Sequence, residues 1–281
     1  MDDTQTVTLP TIAMLGAGSM GRAILSGLLA PGVEVAGIRV TNRSEAKAAE
    51  LAGTPGVTAY ATETQAEANR LAVEGAQVVI VAVKPAMVRD LLAEIGDSLA
   101  PGTVVVSVAA GVTIATMESL LPDSVSVVRA MPNTPAVVGK AVTGVSVGAR
   151  ADEDDAAVTR ALFGTVGEVV EVPEAQLDAL GTISGSGPAY VFLLIEALTA
   201  AAVEKGFTPE QAATLVNGTF LGAAELLVAS GEAPAELRRR VTSPNGTTER
   251  AIAVLSDADL PALFARATDA ALARSRELAA S

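Results

Sequence analysis

A glycine-rich segment near the start of the chain has the spacing of a dinucleotide-binding loop. Gly16, Gly18 and Gly21 follow an apolar run at residues 12–15 and precede a stretch of helical composition. In that setting Gly16 permits a tight turn, Gly18 lets the backbone approach a pyrophosphate, and Gly21 lets helix and strand pack closely. The helix N-terminus adds N–H donors for the phosphates. Such a segment can be merely a turn, but its place at the first strand–helix junction favours a dinucleotide site.

The residues after the second predicted strand indicate which nicotinamide cofactor binds. An NAD enzyme usually carries Asp or Glu about 20 residues beyond the glycines, where it bonds the ribose 2′-hydroxyl. Here the chain has Thr41, Asn42, Arg43 and Ser44, with no acid before Glu45. Arg43 can pair with a 2′-phosphate, while Asn42 and Ser44 add neutral donors. The pattern predicts NADPH; the alternative is that Arg43 is a solvated loop charge.

A lysine ends the third long apolar run, residues 78–83. Lys84 would lie in the crevice where parallel sheets bind ligands, and Pro85 stops the strand. Alone, the pattern also fits an exposed lysine after a core strand.

The composition excludes several kinds of catalysis. The 281 residues include neither His nor Cys, so a His-dependent catalytic relay, a thiolate nucleophile and the usual zinc sites are ruled out, and we predict no metal. Catalysis is left with a cofactor, hydroxyls, Lys, carboxylates or backbone dipoles. A net charge of −13 and 2% aromatic residues argue against nucleic acid and anionic membranes as partners.

The chain shows no targeting pattern. Residues 1–9 are acidic and Thr-rich, without the basic and apolar regions of a signal peptide. The longest uncharged stretch, residues 98–117, is interrupted by Pro101, Gly102 and Gly111. We therefore expect a cytoplasmic protein.

Two halves of the chain have different periodicity. Up to about Val172, short β-branched runs alternate with Ala-rich helical stretches, which predicts an α/β domain with a mostly parallel Rossmann-type sheet over residues 1–172. The predicted strands are 12–15, 35–40, 78–83, 104–108, 125–129 and 144–148, and the predicted helices are 20–30, 44–52, 64–74, 86–98, 114–120 and 152–163. Residues 173–281 show helical patterns only and predict an all-α domain.

Helices of the second half are apolar nearly all round, for example at residues 189–195 and 212–224. A helix without a polar face must be buried on every side, and a domain of about a hundred residues has little room for two of them. We therefore predict an obligate homodimer through these helices, with larger assembly possible.

Taken in order, six segments resemble pyrroline-5-carboxylate reductase over nearly the whole chain. They are the glycine loop at residues 16–21, residues 81–85, Ser107-Val108-Ala109-Ala110-Gly111, residues 129–135, residues 184–190, and Val241-Thr242-Ser243-Pro244-Asn245-Gly246-Thr247-Thr248. The last is the most specific. The resemblance implies reduction of 1-pyrroline-5-carboxylate to L-proline, with a Rossmann domain, a helical dimerisation domain like that of 6-phosphogluconate dehydrogenase, and a site between them. Dimers of this family often assemble further, into decamers among others.

The resemblance also assigns site residues. With Arg43 and Ser44 from the strand end, the predicted cofactor contacts are Leu15, Gly16, Ala17, Gly18, Ser19, Met20, Asn42, Asn69, Ala82, Val83, Lys84, Pro85 and Ala110. Glu174, Thr247 and Thr248 are assigned to the imino acid, with Ser243 close by. Asn69 also fits an ordinary helix-surface residue, and Glu174 an acid at a helix start.

The loop at 243–248 departs from the family at one position. The family usually has two glycines after Ser-Pro, and here the first is Asn245. Asn tolerates left-handed backbone angles better than other residues with a side chain, so we expect the loop shape to be kept.

The chemistry implied is hydride transfer to a C=N bond. The turn leads into a helix N-terminus, so we expect the amides of Gly246, Thr247 and Thr248 to face the substrate carboxylate; an ordinary Ser-Pro N-cap fits equally well. Thr248 is the predicted catalytic residue, either positioning an iminium or relaying a proton from water.

Three further functions are compatible with the residues. A β-hydroxyacid dehydrogenase would need a lysine in the helical half, and the only one is Lys205, before Gly206 at a helix end. An imine reductase for another ring and a catalytically silent NADPH-binding scaffold would both carry the same glycine loop.

Overall fold

The computed structural model describes residues 6–280, and the side chains of residues 6–277. Eight strands lie in the first part of the chain: β1 Val7–Leu15, β2 Val33–Asn42, β3 Val57–Ala61, β4 Val78–Val81, β5 Val104–Ser107, β6 Ser126–Met131, β7 Ala141–Val147 and β8 Gly167–Glu171. The helices are α1 Ser19–Leu28, α2 Glu45–Ala49, α3 Ala68–Val73, α4 Val88–Ile95, α5 Ile114–Glu118, α6 Glu153–Gly164, α7 Glu174–Leu180, α8 Gly187–Glu204, α9 Pro209–Ser230, α10 Pro234–Arg240, α11 Thr247–Ser256 and α12 Leu260–Ala280.

The strands form one sheet in the order β3-β2-β1-β4-β5-β6-β7-β8. Every neighbouring pair is parallel except β6 with β7. The predicted α/β class with a mostly parallel sheet is therefore confirmed. The strand order reverses direction at β1, which pairs with β2 on one side and β4 on the other. Ligands bind such sheets outside the carboxyl ends of the strands at this reversal.

Central strands are buried on both faces, which explains their continuous apolar sequences. All four residues of β4 and of β5 are buried. Successive side chains of a strand point to opposite faces. Met14 and Ile80 accordingly belong to one apolar cluster, and Ala13 and Val79 to another.

Two strands were not predicted from the sequence, and of helix α7 only its start at Glu174 was suggested. Strands β3 and β8 lie at the two edges of the sheet and are only partly buried, so neither has a continuous apolar run. Helix α7, with the π-helical turn Gly181–Gly185 after it, precedes the helices that the apolar pattern revealed. Strand β7 runs antiparallel to β6, which the pattern of apolar residues does not specify.

The chain divides into two compact units. The first runs to Ser186 and also takes the chain from Leu272 on; the second is Gly187–Ala271. Helix α7 belongs to the first unit, where Leu177 and Leu180 pack so close to Gly144 of β7 that a Cβ there would lie 2.6 Å from Leu180. The change of periodicity in the sequence predicts a boundary after residue 172, and that position stays a prediction.

The second unit leaves large apolar side chains exposed in the single chain. Phe192 and Leu193 of α8 are 60% and 64% exposed, and Leu221 of α9 is 62% exposed. Two stretches, Glu174–Glu204 and Pro209–Ser230, are long and apolar enough to cross a membrane by length and composition alone. The helices of a subunit interface meet the same criterion.

Candidate active site

The glycine loop has the geometry that its spacing predicts. Gly16 has a φ of +95°, and a Cβ there would lie 2.8 Å from the carbonyl oxygen of Ala82. At Gly21 a Cβ would lie 2.5 Å from the carbonyl oxygen of Gly16, so the first turn of α1 packs directly on the loop. Around Gly18, by contrast, a Cβ would meet nothing within 4 Å. Gly16 and Gly21 thus serve the fold, while Gly18 leaves room for a ligand.

Backbone hydrogen bonds fix this loop between two strand ends. The N–H of Gly16 donates to Thr41 O at 3.1 Å, and the N–H of Ala82 donates to Leu15 O at 2.9 Å. The carboxyl ends of β1, β2 and β4 are therefore joined at one place. Gly18 is the N-cap of α1 and has no side chain to cap the helix, which leaves the first amides of α1 for a ligand.

A cavity of about 560 Å³, here called the cofactor cavity, opens at these strand ends. Ten of the predicted cofactor residues line it: Gly16, Ala17, Gly18, Asn42, Arg43, Ser44, Asn69, Ala82, Val83 and Lys84. The other five, Leu15, Ser19, Met20, Pro85 and Ala110, are absent from its described lining. Leu15 is fully buried as the last residue of β1.

Sequence reasoning missed several residues of this cavity, of which Lys47 matters most. Lys47 lies on α2, four residues after Arg43, and both side chains are exposed. Together with Lys84 they place three cations on the lining. Within the described part of the chain none of the three has a carboxylate partner. No helical periodicity marks this pair, since Arg43 lies before the N-cap of α2.

Asn69 is held in a defined orientation. Its Nδ2 donates to both carboxylate oxygens of Glu94, at 3.2 and 3.1 Å. Both residues line the cofactor cavity. Because the amide nitrogen is engaged by Glu94, the Oδ1 of Asn69 is the atom left to accept a hydrogen bond, such as one from a ribose hydroxyl.

The residues present fit a phosphorylated dinucleotide. Open space at Gly18, uncapped amides at the start of α1, and unpaired cations at Arg43 and Lys47 suit a pyrophosphate and a second phosphate. A slightly larger cavity of about 610 Å³ lies beside α5 and the ends of β7 and β8. Its charged lining is acidic, Glu118, Glu171 and Glu174, so it does not suit the same ligand.

In the second unit, the turn between α10 and α11 has a left-handed residue at its centre. Asn245 has a φ of 58°, as its identity predicts. The N–H of Gly246 donates to Ser243 O at 3.0 Å, and a Cβ on Gly246 would lie 2.9 Å from that oxygen. Ser243 itself is exposed and supplies its carbonyl to the turn.

The start of α11 differs from the expectation of three free amides. Gly246 is the N-cap, and its N–H is engaged inside the turn, so only the amides of Thr247 and Thr248 remain. No side chain caps this helix, which removes the Ser-Pro N-cap as an explanation of the motif. Thr247 is exposed and Thr248 half-buried. Neither hydroxyl has a hydrogen-bond partner in the part of the chain that the structure describes.

Glu174 lies in the first unit and is engaged there. Its Oε1 accepts a hydrogen bond from Arg129 Nη1 at 2.8 Å and another from the N–H of Ile114 at 2.8 Å. Arg129 is nearly buried, and its second partner is Asp178 at 3.7 Å. Glu174 therefore joins α7, β6 and the start of α5, a structural role in addition to the one that the resemblance assigns.

Lys205 has the position of a helix-ending residue. It is exposed, follows the last residue of α8, and precedes Gly206, which has a φ of +94°. This matches the helix-end position that the sequence predicts for Lys205.

Two family models match the chain, one in each part. Residues 174–278 match the family described as pyrroline-5-carboxylate reductase dimerisation, and residues 11–111 match NADP oxidoreductase coenzyme F420-dependent. A pyrroline-5-carboxylate reductase of Corynebacterium melassecola is 41% identical over 273 residues, which are 96% of this chain and 99% of the relative.

The chain is also similar to solved structures. A pyrroline-5-carboxylate reductase from Coxiella burnetii has a TM-score of 0.89 and 39% identity, covering 95% of this chain and 97% of that one. A Plasmodium falciparum pyrroline carboxylate reductase with NADP bound shares the fold, with a TM-score of 0.79 at 24% identity, covering 96% and 98% of the two chains.

Proposed function

The chain belongs to the pyrroline-5-carboxylate reductase family, and from that premise we propose that it reduces 1-pyrroline-5-carboxylate to L-proline with NADPH. The observation that carries the proposal is the cofactor cavity, where a glycine loop meets three unpaired cations. The identity of the substrate is inferred from the named relatives. The same relatives do not favour a β-hydroxyacid dehydrogenase, nor does the position of Lys205.

The first unit holds and orients the cofactor. NADPH, when bound, supplies the hydride. Gly18 and the first amides of α1 bind the pyrophosphate, and Arg43 and Lys47 bind the 2′-phosphate, a group that NADH lacks. Asn42 and Ser44 add neutral donors beside it, and Asn69 accepts from a ribose hydroxyl. Leu15, Ser19, Met20, Pro85 and Ala110 belong to the proposed set through the family resemblance alone.

The loop at residues 243–248 binds the imino acid. Uncapped amides of Thr247 and Thr248, at the positive end of α11, receive its carboxylate. Gly246 and Ser243 give the turn its shape. The contacts of Glu174 favour a structural role, in which it holds Arg129, over direct contact with the imino acid.

Thr248 positions the reacting nitrogen. The substrate takes its proton from water and reacts as an iminium, since a threonine hydroxyl is a poor acid by itself. Thr248 Oγ1 accepts a hydrogen bond from the iminium N–H and so holds the C=N bond in one orientation. After the hydride adds, the neutral amine of proline takes its second proton from water.

The same family supports a proposal for the assembly and the location of the protein. The second unit forms a homodimer through α8 and α9, because their exposed apolar residues are stabilised by burial in an interface. We further propose that such dimers assemble into decamers and that the protein is cytoplasmic. We also propose a domain boundary at 172/173, which the family match beginning at residue 174 supports.

The test is a reductase assay on the purified protein. NADPH and 1-pyrroline-5-carboxylate are mixed with it, the loss of nicotinamide absorbance is followed, and proline is identified by mass spectrometry. We expect stoichiometric proline, and a lower kcat/KM with NADH. Cofactor binding without proline formation would instead identify a catalytically silent scaffold.

A further inference from the structure

The turn before α11 contains a backbone conformation that needs support. Asn245, at a φ of 58°, is one of two described residues other than glycine with a positive φ; the second is Asp259. Left-handed angles disfavour any residue with a Cβ, and Asn only less so than most. Holding this turn in one shape therefore requires contacts that compensate.

Glu249 supplies that contact. Its Oε2 accepts a hydrogen bond from the backbone N–H of Asn245 at 2.8 Å. Glu249 is the third residue of α11, so its carboxylate also lies where the helix N-terminus favours a negative charge. A hydrogen bond to a charged acceptor is stronger than a neutral one.

Two consecutive amides of the turn are thus engaged, Asn245 by Glu249 and Gly246 by the Ser243 carbonyl. The next two amides, of Thr247 and Thr248, are uncapped. Their direction is set by the backbone just before them, which these two hydrogen bonds fix. Glu249 therefore controls where the free amides point.

We propose that Glu249 is a positioning residue for the imino-acid carboxylate: by holding the Asn245 N–H, it keeps the amides of Thr247 and Thr248 aimed at that group. The inference rests on the proposed function. It also carries an opposing effect, because the charge of Glu249 lies near an anion. If positioning outweighs repulsion, loss of the acceptor weakens substrate binding; if repulsion outweighs positioning, loss of the charge strengthens it.

Three variants separate these effects. Glu249→Ala removes acceptor and charge, whereas Glu249→Gln removes the charge and keeps an acceptor. Glu210→Ala is the matched control, since Glu210 is also an exposed first-turn acid of a helix in this unit, but lies at α9, outside the turn. KM for 1-pyrroline-5-carboxylate, KM for NADPH, kcat and the melting temperature are measured for each.

We expect Glu249→Ala to raise KM for 1-pyrroline-5-carboxylate about five- to tenfold, the size of one ordinary hydrogen bond, since Glu249 acts on the substrate only through the turn. KM for NADPH should stay unchanged, Glu249→Gln should recover most of the loss, and Glu210→Ala should leave both KM values unchanged.

Four results overturn the inference. They are an unchanged or lower substrate KM in Glu249→Ala, equal losses in the Gln and Ala variants, a KM for NADPH that rises in parallel, and an equal rise in Glu210→Ala. Failure of the proposed function looks different, because the wild-type protein would then form no proline.

Discussion

Two glycines of one loop are required for different physical reasons, and substitution separates them. At Gly21 a Cβ would lie 2.5 Å from the Gly16 carbonyl oxygen, which is backbone and cannot turn aside. At Gly18 the backbone has a φ of −71° that any residue adopts, and no atom lies within 4 Å of the Cβ position. The fold thus needs glycine at 21, and we propose that cofactor binding needs it at 18.

We predict that Gly21→Ala lowers the free energy of unfolding by about 2 kcal/mol, the cost of overpacking a tight contact. Gly18→Ala should leave it unchanged yet weaken NADPH binding at least about tenfold, since the methyl group occupies pyrophosphate space. Urea unfolding and a fluorescence titration with NADPH measure the two effects. Wild-type NADPH affinity in Gly18→Ala would contradict the placement of the pyrophosphate.

Arg43, after the end of β2, and Lys47, on α2, should decide whether NADPH or NADH is preferred. Arg43→Ala is expected to raise KM for NADPH about ten- to a hundredfold, because it removes a charge-assisted contact to the 2′-phosphate. Lys47→Ala should have a smaller effect in the same direction. KM for NADH should change little in either. Arg89→Ala, which removes an exposed cation of α4 outside the described lining of the cavity, is the control. A parallel rise for NADH would place Arg43 elsewhere on the cofactor.

The role of the Thr248 hydroxyl can be tested with a variant that keeps the shape of the side chain. Thr248→Val removes the hydroxyl at nearly the same volume and is expected to lower kcat roughly ten- to a hundredfold, as misorientation of a reacting group does. Thr248→Ser should keep most of the rate. The measurement is kcat across the pH range with saturating NADPH. If Thr248→Val or Thr248→Ala turns over at the full rate at every pH, the positioning role is wrong.

For single residues, the sequence predicted the roles that depend on backbone conformation. Gly16, Gly21 and Asn245 have the conformations and contacts that their identities require. Residues brought in by packing were missed: Glu94 reaches Asn69 across 25 positions of sequence, and no local pattern records that. The engaged amide of Gly246 also depends on the three-dimensional turn.

Among the elements, the central strands were predictable and the edges were not. Strands β4 and β5 are buried on both faces, so burial alone forces their apolar sequences. Strands β3 and β8 have one neighbour each and tolerate polar residues. The direction of β7 is set by its short connection to β6 rather than by composition. Periodicity therefore reports burial and leaves topology undetermined.

The contacts of Glu174 join three elements, and we predict that its loss is structural. Glu174→Ala leaves the guanidinium of Arg129 nearly buried without its closest partner, which should lower the free energy of unfolding by about 2–3 kcal/mol. KM for 1-pyrroline-5-carboxylate should stay near the wild-type value.

Urea unfolding and steady-state kinetics measure both quantities for Glu174→Ala. Glu171→Ala, which removes an exposed partner of Arg160, is the control and should change stability by less than about 1 kcal/mol. An unchanged stability together with a raised substrate KM would return Glu174 to the imino-acid site that the resemblance assigned.

For the whole molecule, the question is what covers the apolar surface of the second unit. None of the described residues of α8 is buried in the single chain, although the helix is almost entirely apolar. Exposed apolar patches of this kind mark interfaces with protein or membrane. The family match to a dimerisation domain supports homo-oligomerisation, and we propose that a second copy of the chain packs on this surface.

A protein stabilised by association has a stability that depends on its concentration. We therefore predict that the urea midpoint of the wild-type protein rises with protein concentration, and that Phe192→Glu abolishes this rise because it places a charge in the interface. Sedimentation should show a homo-oligomer for the wild type and smaller species for the variant. Val170→Glu, at an exposed apolar position on β8 in the first unit, is the control and should sediment as the wild type does. Co-sedimentation of the wild type with lipid vesicles, with a midpoint independent of protein concentration, would instead assign α8 and α9 to a membrane.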